Sequence, residues 1–311
     1  MNNISRRADT ISGHLAALTT VSIWSVTYIS TKVLLTDFTP IEILFIRFVI
    51  AVLALKLIVF KSVGFRKSEQ IYFALSGLTG PFLYFLIENS ALIYTTAVNV
   101  SIILTITPMF TAIVTRFFYK DERKLDFWFY LGFVAALSGI VLLSVKGAAD
   151  LSFNPVGDLM SVSAGIVWAF YSVLTRKINS FGYNTVSVTR RSFEYGIIYM
   201  IPLLFIFDFH VETAELLKPV NLSNIIFLGL FASAVSFTLW NLSVKKIGAV
   251  TAIIYLYITP VISALAADFF LGEKLTLTGW LACFIITLGL IISQGGPKLL
   301  LKKLGRSADN S

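Results

Sequence analysis

The sequence predicts an all-α membrane protein of ten transmembrane helices, arranged as two inverted five-helix repeats. Three observations carry that reading. Of 311 residues, 57% are hydrophobic and only 14% charged, with a mean hydropathy of +0.83, whereas a soluble domain is about 45 to 50% apolar and about 25% charged. Apolar runs of the ~20 residues needed to cross a bilayer core recur along almost the whole chain. The chain also repeats itself once. Composition therefore excludes an ordinary soluble enzyme, a disordered chain, a collagen and a disulfide scaffold. Cys283 is the single cysteine, lies in an apolar stretch, and says nothing about redox compartment.

Residues 1–12 form a polar tail with Arg6 and Arg7. The first span, Gly13 to Leu35, follows these cations as a signal peptide would, but no small-residue cleavage site closes it, so it reads as uncleaved. Hydropathy places further spans near 39–60, 71–94, 97–118, 125–145, 157–176, 184–207, 222–243, 249–271 and 276–294. Repeat one thus covers 13–147 and repeat two 157–294, and 295–311 is a basic tail. The longest connection, Asp208 to Pro219, leaves no room for an extramembrane domain.

Lys and Arg orient the chain, because cytoplasmic loops retain them. The loops and tails on one side hold 17 and those on the other 4, namely Lys32, Lys146, Lys218 and Lys274. Both termini are therefore expected in the cytoplasm, as an even number of spans requires. The formal charge of +8 has this explanation and does not point to nucleic acid.

The repeat shows at two offsets. Shifting by 144 pairs Gly13 with Gly157, Trp24 with Trp168, Lys32 with Arg176 and Arg47 with Arg191; shifting by 152 pairs Asn89 with Asn241, Thr107-Pro108 with Thr259-Pro260, and Trp128 with Trp280. Five spans per copy is an odd number, so the second copy enters the membrane from the opposite side. Halves related this way surround a midplane site in many secondary transporters.

Polar residues inside spans are the candidate functional groups. Trp24, Tyr28 and Lys32 lie at i, i+4 and i+8, one stripe of a helix, and Trp168, Ser172 and Arg176 are their mates. The rings suit a cavity wall or simple helix packing, and the two cations suit a gate or snorkelling at helix ends. Span three carries Tyr84 and, one turn on, Glu88 beside Asn89. A buried acid costs roughly 2.5 to 3.5 kcal/mol on insertion scales, so Glu88 is expected to bind an amine, exchange a proton, or neutralise Lys32 or Arg47. Trp240 replaces the acid in the second copy, and Tyr255 offers a hydroxyl on span nine. Arg47 and Arg191 sit about two turns inside spans two and seven, and Glu194 can neutralise Arg190 or Arg191 at i+4 or i+3. Arginines at matching depths suit a pair of gates. Pro81, Pro108 and Pro260 are expected to kink spans three, four and nine, and the last two to free the carbonyls of Leu104 and Leu256.

Trp24-Ser25 with Lys32, then Pro40 and Arg47-Phe48, and later Pro260 with Leu271-Gly272-Glu273 and Trp280, resemble the EamA branch of the drug/metabolite transporter superfamily. The resemblance covers nearly the whole chain. It implies a ten-helix inner-membrane carrier of small metabolites, with a central cavity lined mainly by spans 1, 3, 4, 6, 8 and 9. The second copy departs from the first in having Asn184 in place of Pro40 and Trp240 in place of Glu88.

The expected function is a secondary transporter, moving a small amphipathic metabolite such as an amino acid, amine or drug-like compound by alternating access, with proton coupling open. Neither a metal nor a cofactor is expected: His14 and His210 are far apart, and no H-E-x-x-H, nucleophile elbow or phosphate-binding loop is present. The competing reading is an intramembrane enzyme acting on a lipid or isoprenoid, for which clustered acids are expected and isolated Glu88, Glu194 and Asp268 are found. A receptor or scaffold would more often carry an extramembrane domain.

Overall fold

In the computed structural model, residues 3–59, 64, 66–119, 126–146, 154–247, 252 and 255–293 are described, and every regular element among them is helical. In chain order the long helices are α1 (Asn3–Leu34), α2 (Pro40–Ile58), α3 (Lys67–Tyr94), α4 (Ala97–Phe118), α5 (Phe127–Lys146), α6 (Pro155–Asn179) and α7 (Thr185–Ile206). They continue as α8 (the consecutive stretches Pro219–Ile226, Phe227–Val235 and Ser236–Ile247), α9 (Tyr255–Ile258 and Thr259–Leu271) and α10 (Leu277–Ser293).

Of these, α3, α4, α6 and the Pro219–Ser243 part of α8 are both long and apolar enough to cross a membrane, and α5, α9 and α10 contain shorter apolar helices. Charges set α2 and α7 apart, since they contain Glu42, Arg47 and Lys56, and Arg190, Arg191 and Glu194. The outside of the bundle is apolar: Phe205, Phe269 and Leu277 are 84%, 81% and 86% exposed. Such a surface calls for lipid rather than water.

Several helix starts are written in the sequence. Thr39 and Glu42 form a reciprocal capping box around Pro40 at the start of α2, with Thr39 N–H donating to Glu42 Oε2 at 2.7 Å. The other oxygen, Glu42 Oε1, accepts from the backbone N–H of His210 at 3.1 Å, which ties the connection after α7 to α2. Thr96, Asn154 and Asn184 cap α4, α6 and α7 with their side-chain oxygens. The connection before α8 contains one helical turn, Thr213–Leu216. Lys218, at its end, pairs with Glu215 and Asp37, and the hydrogen bond to Glu215 raises its ammonium above the usual lysine range.

Helix packing obeys an exchange. α1 packs on α8 and α9, as α6 packs on α3 and α4; α2 packs on α8 as α7 packs on α3; α2 also meets α7, α4 meets α9, and α5 meets α10. The α5–α10 seam is made of small residues. A Cβ on Gly132 would strike the backbone of Gly289 and Ser293, and one on Gly289 would strike Gly132 and Ala136. Small residues let backbones approach where no hydrophobic effect drives helices together.

Two departures from α geometry are absent from the sequence expectations. Leu78–Tyr84 in α3 and Phe227–Val235 in α8 are π-helical, a form found mostly as single bulges at functional sites. Pro81 lies inside the first, where the widened turn accommodates a residue without an N–H. Pro108 and Pro260 do interrupt α4 and α9, each within the first turn after the break. The Leu104 carbonyl is nevertheless not left free, contrary to expectation, because the Thr107 hydroxyl donates to it at 2.6 Å.

Candidate functional site

The site grows from three helices whose polar residues face one another. The capped start of α2 fixes Arg47 seven residues along, ~10 Å deep at 1.5 Å per residue. Arg47 is 1% exposed. Its Nε donates to Ser233 Oγ at 3.1 Å, within the π-helical part of α8, and its guanidinium lies 4.4 Å from the ring centroid of Phe85 and 5.3 Å from that of Phe48. Nη1 has no hydrogen-bond partner.

Glu88 follows the π-helical part of α3 and is 2% exposed. Tyr84, one turn earlier, lies beside its carboxyl, and Tyr28 of α1 lies beside Tyr84. Arg47 is its electrostatic neighbour, yet Arg47 makes no ion pair among the described residues, and Glu88 Oε2 is buried without a partner. Asn89 is fully buried, and neither its amide nitrogen nor its oxygen is bonded. A buried polar atom left unbonded costs ~1 to 3 kcal/mol. Four such atoms on adjacent residues of α2 and α3 are therefore the strongest indication in the structure of an unfilled recognition role.

Aromatic rings wall this cluster. Trp24 lies 6.1 Å from Trp168, 5.4 Å from Trp240 and 5.3 Å from Phe237, and Trp168 lies 4.6 Å from Tyr84. The Trp24 indole donates to the Ala232 carbonyl at 3.0 Å, so one of the three large rings is held in orientation by the π-helical stretch of α8.

The structure thus brings together Trp24, Tyr28, Arg47, Tyr84, Glu88, Trp168 and Trp240, with Asn89 buried next to Glu88 along α3. It separates others. Lys32 does not meet Glu88: it donates to the Thr95 carbonyl at 2.7 Å and pairs with Glu273 at 3.4 Å. The helix is long enough to carry Lys32 one turn beyond Tyr28, out of reach of the acid. Tyr255 is also apart, its hydroxyl 2.8 Å from His14 Nδ1, almost three turns before Trp24 on α1, which removes it from the aromatic wall. Arg191, the sequence mate of Arg47, has different partners, and Glu194 pairs with both neighbouring arginines as its spacing suggests. Arg191 bonds Gln70 and Glu194 between α7 and α3, and Arg190 also pairs with Glu194. Arg176 is exposed, 4.4 Å over Tyr119.

Sequence reasoning did not single out Phe85, Phe237 and Ser233. A signal existed for the two rings, since the 152-residue offset pairs Phe85 with Phe237. Ser233 had none, because its role depends on the π turn. Among the described residues no group of His, Cys, Asp and Glu could hold a metal ion.

An apolar, helical exterior around a buried, aromatic-walled polar cluster fits a membrane transporter, and the relatives of the chain are named as transporters. The profile of the EamA-like transporter family matches residues 11–145 and again 155–294. The chain belongs to this family. It is 28% identical to an uncharacterized transporter of Archaeoglobus fulgidus over 298 residues, 93% of this chain and 97% of that one. It is 26% identical to the uncharacterized transporter YyaM of Bacillus subtilis, over 80% of this chain and 82% of that one. The uncharacterized inner membrane transporter YedA of Escherichia coli K12 is 25% identical, over 65% of this chain and 63% of that one. A crystal structure of a protein with 20% identity matches with a TM-score of 0.65, covering 96% of this chain and 99% of that one, which concerns the fold alone.

Proposed function

We propose that the chain is a secondary transporter of ten membrane-crossing helices in two inverted halves, which carries a small zwitterionic or amine-bearing metabolite across the cytoplasmic membrane by alternating access. The observation that carries the substrate class is the set of unbonded polar atoms on Arg47, Glu88 and Asn89. One cation, one anion and one amide, walled by Trp24, Trp168 and Trp240, complement a molecule with a carboxylate, an ammonium and an apolar body. Desolvated cation-π contacts would add ~0.5 to 2 kcal/mol for the ammonium. A phosphorylated sugar fits less well, because Glu88 would face its phosphate.

Inversion is supported by the family profile matching twice in tandem and by the exchange relation among helix contacts. The distribution of Lys and Arg supports cytoplasmic termini. On that placement Lys32, Thr95 and Glu273 lie at the outer end. There Thr95 also donates to Asp158 at 3.1 Å, so α1, α3, α6 and the α9–α10 turn are latched together by polar contacts. Release of this latch opens the cluster outward.

Purified protein in liposomes tests the reading. Uptake of labelled amino acids and amines is expected, with Glu88→Gln reducing it and flattening its dependence on pH if the carboxyl exchanges a proton. Normal transport by Glu88→Gln at every pH, together with loss of anion uptake in Arg47→Gln, overturns the substrate class. For topology, Asp150→Cys in a Cys283→Ala background should react with an impermeant thiol reagent from outside intact cells. Reaction only after lysis overturns the orientation.

A further inference from the structure

The face of α6 turned away from Trp168 bounds a cavity. It is a groove of about 480 Å³ between α3, α6 and the end of α4. Along α6, Phe170, Leu174 and Lys177 form one stripe at i, i+4 and i+7, and Tyr72, Leu75 and Thr79 form the facing stripe of α3. Phe170, Leu75 and Phe118 of the groove are exposed on the apolar exterior, so it opens toward lipid. It shares no residue with the Arg47–Glu88 cluster.

The chemistry of the groove is amphipathic. Its length is apolar, and its one charged lining residue, Lys177, sits at the end nearest the α6 C-terminus. The ammonium lies 5.5 Å from the Phe181 ring centroid and 5.9 Å from that of Tyr72. No carboxylate among the described residues pairs with it. Beside it, Arg176 adds a second positive charge over Tyr119, and the chain's Lys and Arg are concentrated on this side.

We propose that this groove is a binding site for an anionic phospholipid, with an acyl chain between α3 and α6 and the headgroup phosphate on Lys177. Charge complementarity selects the occupant. An apolar slot closed by an unpaired ammonium matches a lipid with a negative headgroup better than a neutral lipid, and better than a transported solute, which has no reason to be elongated. Basic pockets between membrane helices bind anionic headgroups in this way, with about 1 kcal/mol per cation. The inference needs the helices to be in a membrane, but not the transport reading.

The test uses the full-length protein purified in detergent and incubated with phosphatidylglycerol or phosphatidylcholine of identical acyl chains, retained lipid being counted by native mass spectrometry. Wild type should retain phosphatidylglycerol about fivefold better, the equivalent of ~1 kcal/mol. Lys177→Gln should bring the two lipids level, Lys177→Arg should keep the preference, and Leu174→Trp, which fills the slot, should reduce retention of both. A thermal melt of each variant confirms folding. Equal retention by wild type overturns the proposal, as does a preference unchanged in Lys177→Gln. Soluble glycerol phosphate separates headgroup from lipid: if it alone displaces the bound phosphatidylglycerol, the apolar slot contributes nothing and the proposal fails.

Discussion

Arg47 and Arg191 occupy matching positions in α2 and α7, yet one turns inward and the other sideways. Arg47 reaches Ser233 and two phenyl rings beside Glu88, while Arg191 is spent on Gln70 and Glu194. The matched asparagines differ in the same direction. Asn89 is buried with both amide atoms unbonded, but Asn241 donates to Thr189 Oγ1 at 3.1 Å. At these matched positions the first half leaves polar atoms unbonded where the second half pairs them. The rings, by contrast, are shared, with Trp24 and Trp168 as mates. A duplicated scaffold can thus keep a symmetric wall while its buried arginine is ion-paired in one copy, as Arg190 is with Glu194, and among the described residues is not in the other, as at Arg47.

The largest test of that contrast removes one charge at a time. Arg47→Gln and Glu88→Gln each remove the opposite charge nearest the other buried group, and uptake should fall at least tenfold with reduced yield of folded protein. Arg191→Gln, whose partners are half-exposed, should change uptake less than twofold. If Arg191→Gln is as damaging as Arg47→Gln in liposome uptake, the two halves share their chemistry and the contrast is false. The double variant Arg47→Gln/Glu88→Gln should recover folding without recovering transport, which separates stability from recognition.

Glycine substitutions come next. An added Cβ at Gly80 would strike the Tyr171 ring, and one at Gly289 would strike the α5 backbone. Gly289→Val should cost ~1 to 3 kcal/mol by overpacking, read as a lower melting temperature in detergent. Gly80→Ala should cost less in stability but disturb the aromatic wall, since Tyr171 lies 5.0 Å from Trp168 and can shift as a side chain. A milder melt for Gly289→Val than for Gly80→Ala would break this ranking.

The smaller effects sit at the outer latch and in the wall. Lys32→Gln loses an ion pair that is partly exposed, worth ~0 to 1 kcal/mol. Asn99→Cys, placed just inside the latch in a Cys283→Ala background, should then react up to about fivefold faster with an external thiol reagent. Trp24→Phe keeps a ring but loses the bond to the Ala232 carbonyl, ~0.5 to 1.5 kcal/mol, so a few-fold rise in KM is expected with kcat little changed. An equal effect from Trp240→Phe would mean that anchoring by the π-helical stretch is immaterial.

Much of this was legible in the sequence, for identifiable reasons. Helix positions followed from apolar length, which is local, while the Thr39-Glu42 cap at the start of α2 was not read from the sequence. Glu88, Tyr84, Trp24 and Trp168 stood out because polar and aromatic groups at regular helical spacing inside apolar runs are conspicuous. What failed was direction. Whether Lys32 reaches Glu88 or Glu273, and whether Arg47 or Arg191 faces the interior, depends on helix rotation, which spacing along one chain does not encode. Ser233 was invisible because a small hydroxyl in an apolar run gives no signal until the backbone widens around it.

That widening has a consequence for how insertions and deletions act on this chain. In an ideal helix each residue turns the chain by roughly 100°, so a π stretch holds a length change that would otherwise propagate. Deleting Leu83 would restore regular winding within Leu78–Tyr84 and leave Glu88 near the side it shares with Arg47, because the wide turn already holds about one extra residue. The same deletion in the regular stretch Gln70–Gly77 would turn everything after it by roughly 100° and carry the carboxylate out of the cluster with no contact mutated. A single codon removed before the π stretch is thus a steering change, whereas one removed within it is absorbed.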